Sequence, residues 1–555
     1  MKNLIIFISY YFLILFSVIG YGSIILSTFK KKSKFNNIGY KGIVGILFLI
    51  IYSYISHIFI PHGIWHNTIL IFLGLFFFII KNTLSKKEIL VTTGVFFILL
   101  IGIILFKTHD DFPYYHFPYS LYLTQNSVLF GVGQFNHGFR TPSSIFYLNS
   151  LFYLPMIKYN LFHISSVLIM GFTNLIFLDY IKKNVQEKKI DYITFFTVLS
   201  FIFVNIFFYR IAEHGTDRSA QILILLLFIE IFIFTSLQDT FDEHLSKIYI
   251  LLALIMSLKA FYILYLITII PVLIIYYKNY KVKKSIYLIV KNNFFVIFIL
   301  TISLVLVTNL INTGCLLYPI SLTCIENLSW AINIDEVRLM NNWYELWSKG
   351  GASPHGRVED PNAHIQYFNW VSNWIDVYFF NKVSDFLLGL LFLGTVFYLS
   401  LFSRDTKNIK SDKVSIIYAI LFLLLFEWFY NHPSLRYGGY TLIASIWFLF
   451  FSKNLEKKLI DISRIKKVFL GFLILTLIIF VARNVNRIIA EMEQYKFKPI
   501  HNIYFETNKK HFRIHEKFEK LIMNYKYCET KDIRCDLNLK PKMSRMAYTF
   551  IFKTK

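Results

Sequence analysis

Long runs of apolar residues recur from one end of the chain to the other, and short polar or basic connections separate them. Runs of roughly 18 or more apolar residues are what a helix needs to cross a bilayer. A membrane barrel would instead show short alternating segments. We therefore predict an all-α polytopic integral membrane protein with about fourteen transmembrane helices. The predicted spans lie near 4–28, 43–60, 68–80, 89–106, 160–181, 190–209, 219–236, 247–257, 261–277, 290–312, 383–402, 414–430, 439–452 and 467–485.

The basic connections give the chain an orientation. Lys and Arg concentrate in the connections 29–41, 81–88, 182–191, 278–291, 403–413 and 453–467. Cytoplasmic loops carry such an excess, so these connections are placed inside and the alternate ones outside. The arrangement predicts two long outer loops, 107–150 and 313–382, with interfacial helices, one of them at 143–156. It divides the chain into a transmembrane bundle over 1–485 and a small extracytoplasmic cap over 486–555.

The composition supports a membrane protein, and the basic clusters account for the positive net charge. The chain of 555 residues is 56% hydrophobic and only 16% charged, with a formal net charge of +24. In a soluble protein this charge would suggest nucleic acid, but here the basic clusters are anchors against anionic membrane lipid. We therefore expect membrane lipid and no nucleic acid as a partner. The abundance of Ile, Phe, Lys and Asn is typical of an AT-rich bacterial genome, so a bacterial inner membrane is expected.

All four cysteines lie in segments assigned to the outside. They form two local pairs, Cys315 with Cys324 and Cys528 with Cys535. Local pairs in an oxidising compartment are typical of small-loop disulfides. Four separate thiols are the alternative.

A polar stretch follows directly on the predicted span 89–106. It runs from Lys107 to His116 and holds two adjacent carboxylates, Asp110 and Asp111, between two histidines. Ionisable groups where a helix leaves the bilayer are costly to keep and are candidate functional groups. We expect a general base, with its pKa raised at the low-dielectric edge of the bundle, and a partner that orients it or holds a metal. A solvated pair that caps the next helix is the alternative.

A second polar cluster occupies the short connection between the spans at 190–209 and 219–236. Its side chains are Arg210, Glu213, His214, Asp217 and Arg218. Guanidinium groups bind phosphate through paired hydrogen bonds, and Glu213 and Asp217 share a face on a continued helix. We expect substrate binding here, with a charge network at a helix end as the alternative.

A lone lysine interrupts the apolar sequence between the spans at 247–257 and 261–277. Lys259 lies in a tight turn with apolar neighbours on both sides, where two half-helices would meet at a buried kink. Such a lysine either extends to the membrane interface or meets an anion such as phosphate.

The outer connection around 430–440 carries the last candidates. His432, Arg436 and Tyr437 precede a Gly-Gly pair that permits close backbone approach. This combination suits contact with phosphate or sugar. A simple turn is the alternative, since Pro and Gly alone would make one.

Together these features resemble the GT-C superfamily of membrane glycosyltransferases. In that family the first large outer loop carries one or two acidic residues just after a span, followed by interface helices. Asp110, Asp111 and the segment 117–156 fit this pattern. The chain departs from it because two additional spans come first, so that Asp110 follows about the fourth span. The block His109-Asp110-Asp111-x-Pro-x-Tyr-x-Phe-Pro is also similar to a family of uncharacterised bacterial membrane proteins.

The resemblance implies inverting transfer of a sugar from a polyprenyl-phosphate carrier to a glycan, lipid or protein acceptor, on the periplasmic or exterior face. Asp110 or Asp111 would then take the proton of the acceptor hydroxyl. His116 and His214 would assist either the base or the phosphate site. The side chains that would hold the leaving phosphate are Lys259, Arg436 and one of Arg210 and Arg218.

Other interpretations remain open at this point. Asp110 with Glu213 or Asp217 would suit a divalent cation such as Mg²⁺ or Mn²⁺, because these ions prefer hard oxygen ligands. An O-antigen-type polymerase or ligase would also act on polyprenyl-linked glycans outside and would depend less on the early aspartates. A transporter or flippase would show charged residues within spans and repeated halves, and few such charges and no repeat are evident. A structural protein of a polysaccharide machine is the remaining alternative.

Overall fold

The structure, a computed structural model, describes most of the chain. The residues outside the description are 29–36, 82–83, 106–108, 110, 135, 214, 237–240, 280–281, 352–357, 359, 407–413, 505–541, 547–548 and 554–555. The described residues are mainly helical, and a short antiparallel hairpin pairs β1 (Lys542–Met546) with β2 (Thr549–Lys553).

Twenty α-helices make up the described bundle. The first ten are α1 (Lys2–Thr28), α2 (Ile38–Phe59), α3 (Ile64–Ile80), α4 (Lys86–Leu100), α5 (Phe117–Gln125), α6 (Ser144–Ser150), α7 (Ile164–Glu187), α8 (Tyr192–Phe207), α9 (Asp217–Ser236) and α10 (Phe241–Leu258). The others are α11 (Ile270–Asn279), α12 (Val282–Val290), α13 (Asn293–Thr313), α14 (Ile334–Lys349), α15 (Pro361–Ile365), α16 (Val371–Trp374), α17 (Ser384–Leu401), α18 (Ser415–Asn431), α19 (Gly439–Glu456) and α20 (Ile462–Tyr495).

Several of these helices begin and end on local signals in the sequence. The Asn37 side chain accepts a hydrogen bond from the amide of Gly39 and caps α2. Ser85 and Glu88 form a reciprocal capping box at the start of α4. Gly314 ends α13 in a left-handed conformation, with φ of 81°.

Within the described residues, seven helical stretches are long and apolar enough to cross a membrane. They are Lys2–Thr28, Ile38–Phe59, Tyr159–Glu187, Asp217–Ser236, Asn293–Thr313, Val371–Leu401 and Ile462–Tyr495. Four shorter apolar stretches accompany them: Ile64–Ile80, Tyr192–Phe207, Ala260–Ile275 and Ser415–Asn431. The predicted class, a helical membrane protein, is confirmed at this level.

The first three helices pack at distances that only glycine allows. A Cβ on Gly20 would lie 1.9 Å from the carbonyl oxygen of Gly74, and one on Gly22 would lie 1.7 Å from that of Lys41. Small residues let helix backbones approach closely, and this contact stabilises helix pairs in membranes.

The predicted interruption between two apolar segments is present at Lys259. Helix α10 ends at Leu258, Lys259 is extended with φ of −160° and ψ of 132°, and a 3₁₀ helix continues over Ala260–Ile269. A break of this kind places irregular backbone and a lysine side chain among helices. Membrane proteins tolerate such a break where it is buried in protein or lines a polar region.

Two predicted elements differ from the observed ones. The interfacial helix expected at 143–156 is only α6, and all seven of its residues are buried. An amphipathic pattern does not reveal whether lipid or protein covers the apolar face, and here protein covers both faces. The last helix runs through position 485, the predicted end of the bundle, as far as Tyr495.

The two long outer loops are joined by a buried arginine. Arg140 is 3% exposed, and its Nη2 atom lies 2.5 Å from Oε1 of Glu336, while its Nη1 atom donates to the Tyr318 hydroxyl at 3.0 Å. In the second loop Cys315 is bonded to Cys324, the first of the two predicted pairs. The other pair, Cys528 and Cys535, lies outside the described residues.

The N-terminus meets the segment that follows α20. The Met1 ammonium group donates to the carbonyl oxygen of Ile500 at 2.8 Å. Phe497 packs in a small cluster with Phe112 and Phe117, close to the polar stretch that follows the fourth helix. The N-terminus and the segment that follows α20 therefore lie at the same end of the bundle as the polar stretch of the first long loop. We call this end the outer end, following the predicted orientation.

Candidate functional site

Four segments that are distant in sequence bring charged side chains together at the outer end. Asp111 immediately precedes a π-helical turn, Phe112–His116, and Asp217 is the first residue of α9. Lys259 occupies the break after α10, and Arg436 lies in a 3₁₀ turn, Leu435–Tyr437. Gly438 follows this turn with φ of 97°, a conformation that favours glycine and that starts α19.

These four side chains, hereafter the ion network, are in direct contact. Arg436 donates from Nη2 to Oδ2 of Asp111 at 2.7 Å and from Nε to Oδ2 of Asp217 at 2.5 Å. Lys259 donates from Nζ to the other oxygen of Asp217, also at 2.5 Å. Two cations thus share the Asp217 carboxylate, and the Asp111 carboxylate contacts Arg436 and, at 3.3 Å, Nδ1 of His109.

Burial distinguishes the two carboxylates. The Asp217 side chain is 6% exposed, whereas the side chains of Asp111, Lys259 and Arg436 are each exposed by 28% or 29%. Asp217 is therefore the interior anchor of the network. Asp111 and the two cations are open enough to meet a ligand.

The pKa of Asp111 moves opposite to the expected direction. Burial raises the pKa of this carboxyl, but the charge and the hydrogen bond of the Arg436 guanidinium group outweigh burial and hold the pKa below its usual value. The expectation of a raised pKa is wrong because sequence could not reveal the arginine beside it. Although burial opposes it, Asp217 and Asp111 raise the pKa of Arg436 well above its usual value. Burial lowers the pKa of Lys259, and Asp217 partly offsets the change.

Three histidines lie near the network, and burial keeps two of them, His116 and His432, neutral. His109 accepts at Nδ1 from the backbone amide of Asp111 at 3.0 Å. Burial lowers the pKa of His116 to about 3, and its ring packs against Tyr115 and Phe146. Burial also lowers the pKa of His432 to about 4. The His116 and His432 rings therefore add no positive charge at neutral pH.

Aromatic rings form one wall beside the cations. The Lys259 ammonium lies 4.4 Å from the centroid of the Tyr437 ring, a cation–π distance. Phe261 lies 6.2 Å and Trp347 5.6 Å from the same ring, centroid to centroid. Trp347 belongs to α14, so the second outer loop covers this side of the ion network.

Two other predicted site residues, Arg218 and Arg210, have contacts outside the ion network. Arg218 is stacked between the rings of Phe208 and Tyr440, with its guanidinium carbon 4.6 Å and 4.0 Å from their centroids. Arg210 contacts Tyr209. Glu213 ends a 3₁₀ turn, Ile211–Glu213, and its side chain is not described. Asp110 and His214 lie outside the described residues.

Of the carboxylates predicted to hold a divalent cation, only the side chain of Asp217 is described, and its surroundings do not suit a metal. Both oxygens of Asp217 already accept hydrogen bonds from cationic side chains, and Oδ2 of Asp111 accepts from Arg436. Among the described residues, no three His, Cys, Asp or Glu side chains are grouped as metal ligands. A carboxylate neutralised by Lys and Arg is a poor metal ligand, so we derive no step through a metal.

Sequence reasoning missed residues that support the site. Gln221 donates from Nε2 to the carbonyl oxygen of Arg436 at 2.9 Å and fixes the turn that carries the guanidinium group. In the sequence, Gln221 could have been noticed as a polar amide within the apolar run after Asp217. The covering role of Trp347 had a weaker signal, since tryptophan is common at any membrane interface.

Fold and site together define a helical membrane protein with a partly open ion network between its helix ends. Residues 4–443 match a sequence family described as "Domain of unknown function (DUF8201)". The match spans more than three quarters of the chain, and the protein belongs to this family. Comparison with curated proteins and with solved structures found no match.

Proposed function

We propose that the protein is an inverting membrane glycosyltransferase that takes a sugar from a polyprenyl-phosphate carrier and passes it to an acceptor hydroxyl. The observation that carries the proposal is the contact of Asp111 with Arg436, which Asp217 in turn links to Lys259. A carboxylate that can take a proton thus belongs to one network with two cations that can hold a phosphate. All three side chains are partly exposed, and they come from segments far apart in sequence.

The proposed step breaks one bond and forms another. The acceptor hydroxyl gives its proton to Asp111, and its oxygen attacks the anomeric carbon from the side opposite the phosphate. The bond between that carbon and the phosphate oxygen breaks, and the polyprenyl phosphate leaves with the electron pair. Arg436 and Lys259 stabilise the negative charge that develops on this oxygen.

The pairing of Asp111 with Arg436 supports a coupled role for the two residues. The arginine keeps the Asp111 carboxyl ionised, so that it is free to accept a proton. A lipid phosphate competes for the same guanidinium group through bidentate hydrogen bonds. When Arg436 turns to the phosphate, burial dominates at Asp111, its pKa rises and it becomes a stronger base.

We also propose a membrane topology that goes beyond the seven long apolar helices. It comprises fourteen spans in a bundle similar to the GT-C fold, within a bacterial inner membrane, with the ion network facing the periplasm or exterior. An even number of spans brings both ends of the bundle to one side. The contact between Met1 and Ile500 agrees with this requirement.

Release of polyprenyl phosphate by the purified full-length protein tests the proposal. A panel of polyprenyl-phosphate-linked sugars is supplied with mixed glycan and lipid acceptors, and the freed carrier is measured by mass spectrometry. We expect release by the wild type and a loss of about 100-fold or more in Asp111→Asn, because general-base catalysis contributes on the order of 10²–10⁴.

The matched control is Asp335→Asn, which removes a highly exposed carboxylate at the start of α14 and should leave the rate unchanged. Equal rates for wild type and Asp111→Asn would contradict the assigned base. A modest loss would favour the polymerase or ligase mechanism, which depends less on this carboxylate.

A further inference from the structure

Beside the cations of the ion network lies an aromatic surface that takes no part in the proposed step. Trp347, Phe261 and His432 surround the Tyr437 ring, and their centroids lie 5.6, 6.2 and 6.0 Å from its own. We call these four rings the aromatic wall. The Lys259 ammonium lies 4.4 Å from the centroid of the Tyr437 ring. The aromatic wall therefore adjoins one of the two cations of the ion network.

Trp347 differs from the other tryptophans of the second outer loop. Three of those donate the indole N–H to a backbone carbonyl oxygen: Trp330 to Leu310 at 3.0 Å, Trp370 to Tyr367 at 3.0 Å and Trp374 to Pro433 at 2.9 Å. Trp343, one helical turn before Trp347 on α14, is 42% exposed. Trp347 is half-buried, and its indole N–H has no hydrogen-bond partner among the described residues. Trp347 thus keeps a donor available beside the ion network.

His432 supplies a second unused polar group in the aromatic wall. Its Nδ1 atom is buried and has no hydrogen-bond partner among the described residues. Buried polar atoms are normally paired with protein, water or ligand. Because burial lowers the pKa of His432 to about 4, its ring is neutral and offers one donor and one acceptor. The aromatic wall therefore combines apolar ring faces with two polar groups that lack a partner.

This combination favours a sugar over a lipid chain as the occupant of the aromatic wall. A polyprenyl chain would cover the rings but leave the Trp347 N–H and His432 Nδ1 unpaired. A pyranose presents C–H groups on its faces, which pack against aromatic rings, and hydroxyl groups at its edge, which can meet both polar atoms. In the proposed donor the sugar is bonded directly to the phosphate. It must therefore lie beside the group that Lys259 and Arg436 hold.

We infer that the aromatic wall is the subsite for the donor sugar, a pyranose, and that Trp347 determines the preference for it. The inference rests on the proposed function, because it takes the donor phosphate to lie at Lys259 and Arg436. It gives the second outer loop a part in substrate recognition, since Trp347 belongs to α14.

Native mass spectrometry of the full-length protein tests the inference by measuring binding separately from turnover. The probes are polyprenyl phosphate linked to glucose, to galactose or to mannose, and bare polyprenyl phosphate of the same chain length. We expect the wild type to bind at least one linked sugar more tightly than the bare carrier. Trp347→Ala should weaken binding of that linked sugar about tenfold and leave binding of the bare carrier unchanged. Trp343→Ala, the matched control on the same helix, should bind all probes as the wild type does.

Equal weakening of linked sugar and bare carrier in Trp347→Ala, or unchanged binding of both, would overturn the inference. A wild type that binds the bare carrier as tightly as every linked sugar would also overturn it, whereas the phosphate site of the proposed function would stand. A wild type that binds none of the probes would contradict the proposed function as well.

A second variant covers the case in which Trp347→Ala does not elute as a folded protein. Trp347→Phe keeps a ring and loses the indole donor, so the preference for the linked sugar should fall about threefold. An unchanged preference in this variant would remove the indole N–H from the subsite and overturn the assignment of Trp347.

Discussion

Replacing Asp217 and Asp111 one at a time distinguishes the carboxylate that stabilises the ion network from the carboxylate that takes part in the proposed reaction. Asp217→Asn removes an anion that is 6% exposed and that two cations approach to 2.5 Å. Removal of one partner from a buried ion pair costs about 3–5 kcal/mol, because charge is left buried and unpaired. Asp111→Asn removes a carboxylate that is 28% exposed and has one cation beside it. Since solvent screens such a pair, we expect a cost of about 1 kcal/mol or less.

Titration with SDS in mixed micelles measures both effects on the free energy of unfolding, and tryptophan fluorescence reports the folded fraction. The chain has eight tryptophans, and Trp347 lies within the wall beside the cations. Asp217→Asn should unfold at clearly lower SDS, whereas Asp111→Asn should unfold close to the wild type and lose activity. The reasoning is refuted if Asp111→Asn is the more destabilised variant, or if both variants are as stable as the wild type.

Three further changes test other parts of the account. Arg140→Gln should cost about 2 kcal/mol and expose the second outer loop to proteolysis, because Glu336 then loses its buried partner. Gly20→Ala should cost about 1–3 kcal/mol in the SDS titration, since the new Cβ would lie 1.9 Å from the carbonyl oxygen of Gly74. His116 is neutral when folded, with its pKa lowered to about 3, but takes a proton in the unfolded chain below its ordinary pKa of 6.5. The His116 contribution to wild-type stability should therefore fall as pH drops from 6.5 towards 3, by up to about 1.4 kcal/mol per pH unit, and His116→Phe should reduce the pH dependence of stability between pH 7 and 5 by this amount.

The sequence predicted much of the fold because hydropathy alone determines where apolar helices form. It also located the break at Lys259, since a lysine within an apolar run must interrupt the helix or meet a partner. It could not predict that α6 is buried, because an amphipathic pattern is satisfied equally by lipid and by protein.

The candidate site was predicted in parts but not as a unit. Asp111, Asp217, Lys259 and Arg436 were each singled out by their position at a helix end. Their contacts depend on long-range packing, which spacing along the chain does not encode. For the same reason the pKa of Asp111 was expected to rise, whereas the unseen arginine lowers it.

A double-mutant cycle on donor cleavage tests the central claim, that Asp111 and Arg436 act as one unit. The rate of polyprenyl phosphate release is measured for the wild type, Asp111→Asn, Arg436→Gln and the double variant. Residues that act together are not additive, so the double variant should be no slower than the slower single variant. Losses that add in full, or single variants as fast as the wild type, would contradict the account.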